Sequence, residues 1–158
     1  MCGIAGVFAP QGTPVTAEEL SALGALLPWR GPDDEGYFLE ARDGRRHLFA
    51  GPDTPPETYD GGLPYSPSRA RPPEGAAGIV GFAFRRLAIL DLSPAGHQPM
   101  CDPSERYWLV FNGEVYNFLE LRRELESRGH RVLSSGDASV LLASYAEWGE
   151  GCFARWNG

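Results

Sequence analysis

Cys2 stands directly after Met1. Removal of an initiator Met is easy when the next residue is small, and it would leave a thiol and a free α-amine on the same residue. An α-amine has an ordinary pKa of about 7.7–8.0, so a useful fraction is neutral and basic near pH 7. Nucleophile and base would then belong to one residue. The alternative is a small thiol buried at the start of an apolar strand, since free Cys is commonly buried. Lipidation would need a signal sequence, whereas MCGIAGVFAP has no basic region and too short an apolar run.

A second constellation is Asn112-Gly113-Glu114, placed directly after the apolar run YWLVF. A tetrahedral oxyanion needs two fixed donors, and a side-chain amide with the next backbone N–H can supply them. Glycine lets the backbone approach a reacting carbon closely. The alternative is an ordinary turn, because Asn-Gly is a common hairpin dipeptide. Arg86 offers a bidentate fork for a carboxylate, and Asp137 an acceptor for an ammonium. Arg86 could also be a surface strand arginine, and Asp137 a helix cap. The histidines, His47, His97 and His130, lack metal-ligand spacing, and Pro99 argues against a helical His97–Cys101 zinc pair. No metal site is expected. His97 or His130 acting as base to a thiol is a further hydrolase reading.

Composition narrows the chemistry. All 14 basic residues are Arg, against 21 acidic ones, for a net charge of -7. Without lysine there is no lysine nucleophile, no Schiff base and no Walker-type phosphate loop. The acidic balance argues against nucleic acid or an anionic membrane as main partner. No apolar run approaches the roughly 18 residues of a spanning helix. Three cysteines, Cys2, Cys101 and Cys152, form an odd set without a CxxC spacing, which points to free thiols and the cytoplasm.

The elements that must hold these residues follow from pattern. CGIAGVF reads as a buried strand. Thr16 and Glu19 form a capping box for a helix over 17–27, with Leu20, Leu23 and Leu27 on one face. Asp43-Gly44 sits at the turn of a hairpin over 36–50. Residues 51–78 hold seven prolines and five glycines, so they read as a solvated surface insertion. Strands are expected at GIVGFAF, RRLAILDL and RYWLVF. A second helix starts from Asn117 as N-cap, carries a Glu124–Arg128 pair and stops at Gly129. A third runs from about Ala138 to Trp148. Strands flanked by helices without strict βαβ alternation imply an α+β layered domain.

These stretches together resemble the glutaminase domain of class II glutamine amidotransferases, nearest to glutamine-hydrolysing asparagine synthetases. The matching text is MCGIAGVF, RGPDDEG at 30–36, RRLAILDLSPAGHQPM at 85–100, LVFNGEVYNFLELRREL at 109–125 and AEWGEGCFARWNG. The resemblance implies an N-terminal nucleophile hydrolase-type αββα sandwich and hydrolysis of L-glutamine to glutamate and ammonia through a Cys2 thioester. Cys2, Asn112 and Gly113 correspond to the catalytic residues. Arg86, Ile89, Leu90, Glu114 and Asp137 correspond to residues that hold glutamine. No cofactor is implied for this domain. ATP and Mg belong to a C-terminal synthetase domain that amidates aspartate and has no counterpart in these residues. A homodimer is left open, and so are a non-catalytic glutamine-binding or regulatory module and the glutaminase domain of another class II amidotransferase.

Phe84 and Trp29 stand where the family often has His, and SGDAS at 135–139 replaces a usual Ser-Asp-Thr-Glu pattern. Further strands follow RWNG in the family. The expectation is therefore a glutaminase domain over 1–158, truncated at its C-terminal end.

Overall fold

The structure, a computed structural model, describes residues 1–68 and 70–158. Burial alternates along β1 (Gly3–Phe8), which is built of small and apolar residues. It is followed by β2 (Val15–Thr16) and α1 (Ala17–Gly24). Then come β3 (Asp34–Glu40), β4 (Arg46–Ala50), β5 (Ala77–Gly78) and β6 (Val80–Arg86). The chain continues through β7 (Met100–Cys101), β8 (Trp108–Leu109), α2 (Phe118–Ser127) and α3 (Asp137–Trp148). Strands β1-β6-β3-β4 form an antiparallel sheet in that order, and β2-β5 and β7-β8 are two-stranded antiparallel sheets. The fold is mixed α and β with antiparallel sheets. None of its helices among the described residues is long and apolar enough to cross a membrane.

Three apolar clusters hold it. Ala17 and Leu20 of α1 pack on Tyr37, Leu39, Phe49 and Ala83 of the large sheet. Helices α2 and α3 bury Leu121, Leu125, Val140 and Leu141 against each other. Between these bodies Tyr65, Met100, Cys101, Ala138 and Leu142 form a third cluster.

Several local expectations hold. The Thr16–Glu19 capping box is present in both directions, at 3.1 and 2.8 Å. The hairpin turns at Gly44, whose φ of +83° suits glycine. At the end of α2 the His130 N–H reaches the Leu125 carbonyl and the Gly129 N–H the Glu126 carbonyl, a Schellman cap with Gly129 at φ +91°. The Glu124–Arg128 pair closes at 2.9 Å.

Others are corrected. Helix α1 ends at Gly24 rather than at 27: the Leu26 and Leu27 N–H groups bond back only three residues, to the Leu23 and Gly24 carbonyls, and a 3₁₀ turn starts at Pro28. The run 85–92 is not a strand beyond Arg86, since β3 and β1 supply no further partners. Its backbone is taken by side chains instead: the Ala88 N–H donates to Asp33 Oδ2 at 2.9 Å. The run 106–111 pairs only at Trp108–Leu109. The Tyr107 N–H is held by Asp102 and the Phe111 N–H by Gln98, each at 2.7 Å, which ends the ladder on both sides. Asn117 stands at the N-cap position of α2 as expected, but its side chain makes no capping bond. Its amide donates to the Arg155 carbonyl at 2.8 Å and accepts the Asn157 N–H at 3.0 Å.

The insertion 51–78 is not simply solvated. It sends Tyr65 into the third cluster at 1% exposure, where the hydroxyl donates to the Ala95 carbonyl at 2.8 Å. Tyr65→Ala therefore costs about 3–5 kcal/mol of unfolding free energy, the range for emptying a buried aromatic site. Tyr65→Phe keeps the ring and costs about 1 kcal/mol. Urea unfolding midpoints of the two variants check this.

Candidate functional site

The end of β6 and the residues just ahead of β1 meet at one cavity, with the end of β3 beside them. Gly3 of β1 is opposite Arg85, and Asp34 of β3 is opposite Arg86. One step beyond these pairs, antiparallel register sets Cys2 across from Arg86. The chain then leaves the sheet as the loop 87–93, which forms one wall. The opposite wall comes from residues 111–114 and the start of α3. The cavity measures about 320 Å³.

All eight residues singled out from sequence line it: Cys2, Arg86, Ile89, Leu90, Asn112, Gly113, Glu114 and Asp137. They come from four separate stretches of chain. Neither His97 nor His130 lines it, so the geometry gives Cys2 no imidazole partner there. His130 instead pairs with Glu147 at 2.7 Å between α2 and α3.

Cys2 is half-buried. The Leu87 N–H donates to its Sγ at 3.4 Å, and the thiol donates to the Leu87 carbonyl at 3.6 Å. Arg30 Nε reaches the Cys2 carbonyl at 3.4 Å. Cys101, by contrast, is sealed in the third cluster. Burial pushes its thiol up to about 12, and nearby Glu105 and Asp102 push the same way, so it is inert as a nucleophile.

Asn112-Gly113 closes no hairpin, and both residues are exposed at the cavity wall. A side chain at Gly113 would press on the Phe111 ring at 2.8 Å. Asp137 is the first residue of α3 rather than its cap, a role that falls to Gly136. Its Oδ2 accepts the Val115 N–H at 3.0 Å, and among the described residues no protein donor bonds its Oδ1. This ties α3 to the 112–115 wall while leaving an acceptor free.

Arg86 is 8% exposed. Its Nη1 donates to the Ser93 carbonyl at 3.1 Å and its Nη2 to the Asp91 carbonyl. A Cβ on Gly96 would collide with Nη2, so glycine is needed for that approach. Ile89 and Leu90 are exposed on the loop, at 60% and 47%. Arg86 supplies positive charge, Glu114 and Asp137 supply negative charge, and the loop supplies apolar surface. Such a cavity suits a small zwitterion.

Sequence reading missed Asp91, the joint between the two walls. Its carboxylate accepts from the Ser93 hydroxyl at 2.6 Å and the Ser93 N–H at 2.9 Å. It also accepts from the Ser134 hydroxyl at 2.7 Å and the Ser135 N–H at 2.8 Å. Burial alone would raise its pKa, but these donors outweigh burial and hold the carboxyl well below the usual range. The only sequence signal was serine density at 93 and 134–135.

The family described as "Glutamine amidotransferase domain" matches residues 75–158. The chain is similar to asparagine synthetase [glutamine-hydrolyzing] 1 of Bacillus subtilis, at 32% identity over the whole of this chain and 20% of that protein. Asparagine synthetase [glutamine-hydrolyzing] 2 of the same organism is 30% identical over 96% of this chain and 15% of its own length. Asparagine synthetase [glutamine-hydrolyzing] 3 is 43% identical over 49% of the chain and 13% of its own length. The chain thus spans about a fifth or less of these relatives.

Asp91→Asn weakens four hydrogen bonds to a charged acceptor and lowers stability at neutral pH by about 2 kcal/mol. A depressed folded-state pKa gives stability that is present above the unfolded carboxyl pKa and is lost as pH falls below it. The gap between wild type and Asp91→Asn therefore narrows from about pH 6 to about pH 3. Urea midpoints across that range test the sign.

Proposed function

The chain belongs to the glutamine amidotransferase domain family, and from that premise we propose that it is the glutaminase unit of an asparagine synthetase. It would adopt the N-terminal nucleophile αββα architecture. The observation that carries the reading is the convergence of the eight residues, from four stretches of chain, on one cavity.

In this reading L-glutamine lies with its carboxylate on Arg86 and its ammonium between Glu114 and Asp137. The loop backbone at Ile89 and Leu90 flanks the substrate. Met1 lines the cavity together with Cys2, so its removal frees the amine and opens space beside the thiol. The Cys2 α-amine takes the thiol proton, and the sulfur attacks the side-chain amide carbon. The tetrahedral oxyanion is met by the Asn112 amide and the Gly113 N–H. Collapse of that intermediate breaks the C–N bond, and the amine proton leaves with ammonia. Water, deprotonated by the same amine, then hydrolyses the thioester to glutamate and restores the thiol.

The ammonia passes to a synthetase domain that amidates aspartate with ATP and Mg, all in the cytoplasm. No cofactor acts in the glutaminase step itself.

Cys2→Ala abolishes glutamate release. Asn112→Ala lowers kcat by about 10²–10³-fold with KM little changed, because the oxyanion exists only along the reaction path. A glutamate-release assay with intact-mass analysis checks both. Full activity in protein that still carries Met1 would overturn the amine-base mechanism. Glutamine binding without turnover in the wild type would favour a binding module.

A further inference from the structure

The buried carboxylate of Asp34 faces two partners and bonds only one of them closely. His97 Nδ1 lies 2.7 Å from Asp34 Oδ2, whereas Arg86 Nη1 lies 3.9 Å from the same oxygen. Asp34 Oδ1 accepts the Glu35 N–H at 2.8 Å. Asp34, His97 and Arg86 are 1%, 2% and 8% exposed. In dry surroundings a guanidinium and a carboxylate gain most by closing to about 2.7–2.9 Å as a bidentate pair. This pair stays apart. His97, whose ring packs on the Gly36 backbone, donates to Oδ2, and the carbonyls of Asp91 and Ser93 draw the guanidinium the other way. Arg86 borders the cavity, while His97 does not.

We propose that His97 is a positioning residue: by occupying Asp34, it stops that carboxylate from capturing Arg86 and keeps the guanidinium available to a ligand carboxylate. This rests on the reading of Arg86 as the group that receives the carboxylate of glutamine. Asp34 still supplies a counter-charge close enough to stabilise Arg86 without neutralising it through direct hydrogen bonds. Without the imidazole, Oδ2 loses its donor inside the fold. A charged replacement stands 3.9 Å away, Arg86 Nη1, which must leave the Ser93 carbonyl to reach it. The guanidinium then turns from the cavity toward β3.

The experiment uses the full 158-residue chain, with KM and kcat for glutamine measured beside the assigned Arg86 Nε–Hε NMR resonance. His97→Leu raises KM about tenfold with kcat within about twofold, and the Arg86 resonance moves. His97→Asn puts an amide N–H near the former Nδ1 and keeps KM within about threefold of wild type. Adding Asp34→Asn to His97→Leu returns KM toward wild type, because a neutral amide cannot capture the guanidinium. Should His97→Leu not fold, His97→Gln, with its amide nearer the Nε2 position, takes its place. A KM that merely follows melting temperature across the set, or an Arg86 resonance unmoved in the folded single variant, overturns the proposal. Should wild type neither bind nor hydrolyse glutamine, the functional reading fails, and the Arg86 resonance still decides the role of His97.

Discussion

Two consecutive carboxylates on β3, Asp34 and Glu35, lie opposite two consecutive arginines on β6, Arg86 and Arg85. Strand residues alternate between faces, so one acid–arginine pair goes to each side of the sheet. On the α1 side Glu35 meets Arg85 at 2.9 Å. Arg85 also meets Asp53 at 2.6 Å and the Gly31 carbonyl at 3.1 Å, and Tyr37 donates to Glu35 at 2.7 Å. On the other side Asp34 stands near Arg86 and His97. Removing one partner of such a buried pair costs about 3–5 kcal/mol, because it strands an uncompensated charge. A one-residue slip of β3 against β6 would send each acid to the wrong face and strand all four charges. Register is thereby fixed at the sheet end where Cys2 and the 87–93 loop begin.

The fixed sheet end supplies half a cavity, and the other half belongs to the α2–α3 body. Asp91 joins them by accepting from Ser93 on its own loop and from Ser134 and Ser135 ahead of α3. Arg122 of α2 closes the same segment from behind, donating to the carbonyls of Ser134 and Gly136. Asp137 then links α3 to Val115 on the far wall. Each wall is therefore held by a carboxylate whose donors come from another part of the chain. A cavity assembled this way keeps its shape through directional bonds, which suits recognition of a small ligand with charges at fixed separation.

Elements set by local chemistry were legible in the sequence. Thr16 with Glu19, Gly44 in its turn and Gly129 after α2 each satisfy backbone groups within a few residues, so their types and spacing carry the information. The candidate site was legible through motif text, and the fold gathers those residues around one cavity. What was not legible depends on partners distant in the chain. RRLAILDL has strand composition, yet a strand needs a ladder, and nothing in those residues reveals that β3 and β1 stop supplying one at Arg86. Asn117 has the chemistry of a cap, yet Arg155 and Asn157 compete for its amide. Tyr65 sits among prolines and glycines that spell surface, and only the space between the two bodies draws it in.

The same logic explains two glycines near the site. A Cβ on Gly31 would collide with the backbone of Arg85 and Arg86, so the RGPD turn can lie directly on the end of β6 only without a side chain there. That contact lets the Gly31 carbonyl accept from Arg85 Nε and the Asp33 N–H donate to the Arg86 carbonyl at 3.0 Å. A Cβ on Gly96 would strike Arg86 Nη2 from the other side. The Arg86 main chain is thus pinned at Gly31, while its guanidinium is confined by Gly96, by the carbonyls of Asp91 and Ser93, and by Asp34. Of the directions left to its charge, the cavity is the one bounded by solvent-accessible space rather than by packed chain. Two features coincide here: the sheet end buries a guanidinium that helps fix its register, and the same residue lines the cavity.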